Sequence, residues 1–284
     1  MVAILGCAYG GLVAGLLPPM FSALQIRDVL DNTSARGILG LGEPAELDRT
    51  LEAGDAAGLD TIVVPAGTAC KGSAQTWSAF MARGDVGTGP RAPMLADDPA
   101  LLTFSSGTTG VPKGVMHSAN TVRFTVESYA RYQEIGCADT SLVVTAFGFI
   151  GSSVLGVYLS FLRGCRTVLK RDWNADEALE LIERHRVTHF LLMPTHAIDL
   201  LGSAKLGRTD CSSVSRGVLA GLSEAQRLEA RQRLCVKPFP MYGMSESPGH
   251  VTGSMADPWE KLRRTGARQR IFRCQAGGRS STSI

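Results

Sequence analysis

The 284 residues contain no Walker A phosphate motif, no Cys-x-x-C pair, no internal repeat and, ahead of Arg27, no charged side chain. Each absence excludes something. Without Cys-x-x-C spacing, the seven scattered cysteines (7, 70, 137, 165, 211, 235 and 274) suggest neither a disulfide framework nor a zinc site, and they fit the reduced thiols of a cytoplasmic protein. The five histidines include the near neighbours His185 and His189, but no Cys, Asp or His pattern completes a metal set, so they read as structural or surface groups. Acidic residues are missing after Glu260, where Lys261, Arg263, Arg264, Arg268, Arg270, Arg273 and Arg279 are all basic. Against a net charge of +3 for the whole chain, those seven leave −4 on the remainder, and this mildly acidic body does not suggest a nucleic-acid surface. At 44% hydrophobic and 19% charged, the composition is that of a folded chain, with length for one large or two small domains.

The uncharged run over residues 2–18 admits three readings: a signal peptide, a membrane helix with Gly6/Gly10 and Gly11/Gly15 as packing pairs, or a buried helix of a soluble sheet protein. No basic residue precedes it, and it is short and glycine-rich for a span, which favours the buried helix and no integral membrane segment. Helices over 25–35 and 43–57 then alternate with strands over 37–41 and 60–65, the last of these apolar throughout. Residues 84–99 form a Gly/Pro/Asp-rich linker. Further on, helices are predicted over 119–134, 152–162, 175–185 and 223–234, with strands over 141–146, 166–170, 188–194, 215–221 and 236–241. Asn174 and Glu177 form a capping pair for the helix at 175. Alternation of this kind implies an α/β fold of mostly parallel sheets covered by helices.

The densest chemistry lies in Leu101–Ser118, LLTFSSGTTGVPKGVMHS, which reads as strand, flexible loop, strand. The loop carries the hydroxyls of Ser105, Ser106, Thr108 and Thr109, glycines at 107, 110 and 114 that let backbone N–H groups approach a ligand, and Lys113. Hydroxyls, bare amides and one cation suit polyphosphate oxygens. This stretch resembles the phosphate-binding signature of the adenylate-forming superfamily of acyl-CoA synthetases, peptide-synthetase adenylation domains and luciferases. A second signature of that superfamily resembles Met241-Tyr242-Gly243-Met244-Ser245-Glu246, in the same order and at about the same separation.

The resemblance implies the large N-terminal α/β domain of an AMP-forming carboxylate–CoA ligase. Such an enzyme joins a carboxylate to ATP with magnesium, releases pyrophosphate, and passes the acyl group of the resulting acyl-adenylate to coenzyme A. Carried over position by position, Ser105, Ser106, Gly107, Thr108, Thr109 and Gly110 would wrap the β- and γ-phosphates with Lys113 near them. Tyr242 would stack on adenine, Gly243 would line the nucleotide site beside it, Ser245 would bond the α-phosphate or acyl oxygen, and Glu246 would hold magnesium. Lys113, Ser245 and Glu246 are thus the expected catalytic set. Ala220 and Gly221 stand at the expected adenine wall, while Phe147, Phe149, His196 and Met244 are assigned to the acyl pocket.

The chain departs from the superfamily pattern in several places. Ser245 replaces the usual threonine but keeps the hydroxyl. Ala220-Gly221-Leu222-Ser223 replaces a Gly-Gly/Ala-Ala-Pro stretch, so Leu222 reshapes the nucleotide wall. Phe147 and Phe149 stand where many members carry a Pro and a His, which suggests an apolar carboxylate pocket, although aromatics at such a turn are also ordinary core. No aspartate near Phe147 is placed to hold an amino-acid ammonium, which favours a fatty, alicyclic or aromatic acid. The similarity to acyl-CoA synthetases extends through Asp257-Pro258-Trp259-Glu260-Lys261. The expectation is therefore a partial adenylation domain over 1–260, shortened at both ends and lacking the lid domain, with a basic disordered tail over 261–284. Turnover would then be impaired, and a non-catalytic nucleotide-binding remnant is the alternative.

Overall fold

The structure, a computed structural model, describes residues 1–40, 42–68, 70, 72–84, 94–105, 112–219, 221–239 and 243–246. The chain divides into two compact units, Met1–Asn120 with Ala146–Phe149, and Thr121–Thr145 with Ile150–Ile284. Both are α/β, with sheets that are parallel but for one hairpin.

The first unit begins with α1 (Val2–Tyr9), whose only buried side chain is Ile4. The expected buried helix over 2–18 is thus corrected. Gly11, at φ +70°, turns the chain out of the helix, and Ala14–Leu16 becomes strand β1 because it finds a partner. That partner is β5 (Pro99–Ser105), parallel to β1, and β5 in turn pairs antiparallel with β6 (Lys113–Ser118). No helix among the described residues is long and apolar enough to cross a membrane.

A second sheet of this unit sets β2 (Ile38–Leu39), β3 (Ile62–Val64) and β4 (Ala74–Thr76) side by side, all parallel. α2 (Ala23–Thr33) leads into β2, α3 (Pro44–Ala56) connects β2 to β3, and the short α4 (Trp77–Ala82) follows β4. The capping box of Ser22 and Gln25 starts α2, and Pro44 starts α3 at a position where a missing N–H costs nothing. Ile26, Val29 and Leu30 of α2 pack with Ile38, Ala53, Ile62 and Phe104 in one core.

The second unit takes most of α5 (Ala119–Tyr132) and a five-stranded parallel sheet. Its strands are β7 (Thr140–Val143), β8 (Arg166–Leu169), β9 (His189–Leu192), β10 (Arg216–Leu219) and β11 (Lys237–Phe239), in the order β11-β10-β9-β7-β8. Gly217 makes room for the Phe190 ring of the neighbouring strand, since a Cβ there would stand 2.3 Å from it. The crossovers are α8 (Ala175–His185), α9 (Pro194–Gly202) and α10 (Glu224–Arg233). Leu142, Leu179, Ile182, Phe190, Leu200 and Leu219 are among the side chains of the core they enclose.

The single helix expected over 152–162 is a composite. Ile150–Ser152 (α6) and Leu159–Arg163 (α7) flank a π-helical stretch at Ser153–Tyr158. There Gly156 packs so close to β7 that a Cβ would meet both Val143 methyls at 3.1 Å, and its carbonyl accepts from Ser160 Oγ at 2.8 Å.

Candidate nucleotide site

In the first unit the hairpin sets the chemistry. Residues 101, 103 and 105 of β5 share one face, and Leu102 and Phe104 share the other, Phe104 being anchored in the core around α2. At the end of the hairpin where the two strands are joined, Ser105 and Lys113 are Cα partners, Ser105 half-buried and Lys113 exposed. The ladder thus holds one hydroxyl and one cation at the two stems of the intervening loop. Ser106, Gly107, Thr108, Thr109 and Gly110 lie outside the described residues.

Phe147 and Phe149 belong to the same unit and sit on one turn, closed by Phe149 N–H donating to the Ala146 carbonyl at 3.1 Å. Phe147 is half-buried and Phe149 is exposed. Gly148 between them passes so close to the backbone of Leu17 and Pro18 that a Cβ would stand 2.3 Å from the Leu17 carbonyl oxygen. The turn is therefore tied to its own unit through backbone contact.

In the second unit the candidate residues gather at the carboxyl ends of adjacent parallel strands, the edge where open α/β sheets bind ligands. The chain passes from β7 to β8 on one side and from there to β9 on the other, so the β7–β9 boundary is a topological switch point. His196 follows β9, in the first turn of α9. Its Nδ1 accepts from Met193 N–H at 3.4 Å, and its ring lies against Trp173 with centroids 4.5 Å apart. Trp173 Nε1 donates to Asp199 at 2.8 Å, which fixes the indole. Burial lowers the His196 pKa, opposed by the Asp199 charge, so the imidazole is neutral at pH 7.

Gly221 follows β10 at φ +67°, and a Cβ there would stand 2.8 Å from Pro194 of α9. The structure thus brings Gly221 and the start of α9 together. Gly243, Met244, Ser245 and Glu246 follow β11, Met244 and Glu246 exposed and Ser245 half-buried. Ala220 and Tyr242 lie outside the described residues. Trp173 was not singled out in the sequence. Its place just past the carboxyl end of β8 is the signal that could have found it.

The first unit carries Ser105 and Lys113 on its hairpin, and the second carries His196, Ser245 and Glu246 past its strand ends. Residues 1–275 match the family described as AMP-binding enzyme, and the chain belongs to that family. It is 30% identical over 171 residues to the medium-chain fatty-acid–CoA ligase of Escherichia coli, covering 60% of this chain and 30% of that protein. To the acetyl-coenzyme A synthetase of Phycomyces blakesleeanus it is 29% identical over 255 residues, covering 81% of this chain and 37% of the other. The chain therefore spans about a third of the length of these curated relatives. An anthranilate CoA ligase solved with anthranoyl-AMP shares the fold at a TM-score of 0.78 and 19% identity, over 90% of this chain and 50% of that one.

Proposed function

We propose that this chain activates a carboxylic acid with ATP, forming an acyl-adenylate and pyrophosphate for transfer of the acyl group to coenzyme A. The observation that carries the proposal is the pairing of Ser105 with Lys113 across the stem of a hydroxyl-rich loop, in a chain of the AMP-binding enzyme family. Lys113 supplies a point charge for phosphate oxygens, and Ser105 together with Ser106, Thr108 and Thr109 supplies hydroxyl donors. Ser245 donates to the oxygen that gains charge as the carboxylate attacks the α-phosphate, and Tyr242 offers a ring for adenine.

Glu246 fits magnesium: it is an exposed carboxylate, and a hard cation of this kind takes one or two carboxylates plus substrate phosphates. Substrate phosphates would complete its ligand set. Magnesium would neutralise phosphate charge there.

The acid we propose is fatty, alicyclic or aromatic. Phe147 and Phe149 offer apolar surface, and His196, neutral and stacked on Trp173, adds no charge that would favour a second carboxylate. The test is to incubate the protein with ATP, magnesium and a panel of such acids and to look for acyl-AMP by mass spectrometry, then for the thioester once coenzyme A is added. Acyl-AMP formed from apolar acids and not from amino acids supports the reading. A folded protein that binds ATP and forms no adenylate with any acid contradicts it.

A further inference from the structure

At the amino-terminal end of the second unit's sheet, where β7, β8 and β9 begin, lies a cavity of about 520 Å³. The four-residue strands separate it by roughly 13 Å from the carboxyl-end loops that carry His196. Its walls include Asp139, Arg166, Arg184, His185, Arg186 and Thr188, three arginines and one histidine against a single carboxylate.

That carboxylate is already committed. Asp139 accepts from Arg216 Nη2 at 2.5 Å, from Thr188 Oγ1 at 2.7 Å and from the Gly136 N–H at 2.8 Å. Arg186 is committed too, donating to Asp210 at 2.6 Å. Arg166 and Arg184 differ. Neither has a carboxylate within ion-pair distance among the described residues, and Glu180, whose charge lies near Arg184, is bonded to Lys205. Both arginine side chains are exposed at the cavity. Two uncompensated guanidinium groups offer forked donor sets that match phosphate oxygens, and the volume falls in the range of small-metabolite pockets.

We propose that this cavity is a second ligand site, which takes a phosphate group, free or carried by a small metabolite, on Arg166 and Arg184. The site is separate from the proposed nucleotide site and does not depend on it.

The test is isothermal titration of the full chain with inorganic phosphate and with glucose 6-phosphate. Three proteins are compared: wild type, Arg184→Gln and Arg166→Gln/Arg184→Gln. The expected result is saturable binding whose Kd rises at least tenfold in the double variant, with circular dichroism the same throughout. Equal Kd values for the two probes would identify free phosphate as the ligand, and a tenfold tighter ester would identify a phosphorylated metabolite. The proposal is overturned by the absence of saturable binding to wild type or by an unchanged Kd in the double variant. It is also overturned if Arg184→Gln lowers the Tm and leaves the Kd alone, since Arg184 would then serve the carbonyl end of α8.

Discussion

His189 of β9 is fully buried, with Nε2 2.5 Å from the Tyr129 hydroxyl and Nδ1 3.2 Å from the Ser141 hydroxyl. Burial, helped by the Arg216 charge and opposed by Asp139, takes its pKa down to about 3 from the ordinary 6.5. The sign follows. Between those two values the unfolded chain binds a proton that the folded chain refuses, so stability falls as the pH drops below about 6. One such proton corresponds to a slope of about 1.4 kcal/mol per pH unit. The carboxylate of Asp139, held below its usual range despite burial by the Gly136, Thr188 and Arg216 contacts, adds its loss only under more acid conditions. Urea unfolding at pH 7, 6, 5 and 4.5 should show the slope in wild type and a shallower one in His189→Gln. Parallel curves for the two proteins would refute the assignment. At this scale the sequence was readable where chemistry is written locally. Ser105, Lys113, Ser245 and Glu246 stand in two local signatures that gave the family, whereas the Tyr129–His189–Ser141 set joins three distant segments and has no local signature.

Among elements, α8 is the most locally determined. Asn174 Oδ1 accepts from the Glu177 N–H at 3.0 Å, Ala178, Leu179 and Ile182 form the buried stripe, and acidic then basic residues suit the two ends. Its expected bounds, 175–185, are those observed. Asn174→Ala should cost about 1 kcal/mol, read as a lowered urea midpoint, and Asn174→Ser should recover most of it. No change in either variant would mean that packing alone holds the end. Other elements depend on partners far along the chain. Residues 14–16 become a strand by pairing with 101–103, which no local pattern announces. Pro194 was expected to close the strand over 188–194, but β9 stops at Leu192 and Pro194 opens α9, the position where its fixed φ suits a helix start. The π-helical stretch at 153–158 follows from the close approach of Gly156 to β7, a tertiary demand that leaves the 3.6-residue period intact to the eye.

On the scale of the whole molecule, the alternation of helices and strands was enough to give the α/β class, and the two signatures were enough to give the family. The division into two units was not legible, because the turn at Ala146–Phe149 leaves the second unit's sequence and packs with the first, as the Gly148–Leu17 approach illustrates. The most direct measurement is acid-dependent exchange of labelled pyrophosphate into ATP with magnesium, for wild type, Lys113→Ala and Glu246→Ala. Loss of one preorganised charge at a phosphoryl site costs on the order of 100-fold. The account predicts exchange that requires the acid and falls by about that factor in each variant. Acid-independent exchange, or exchange at the wild-type rate in both variants, would contradict it.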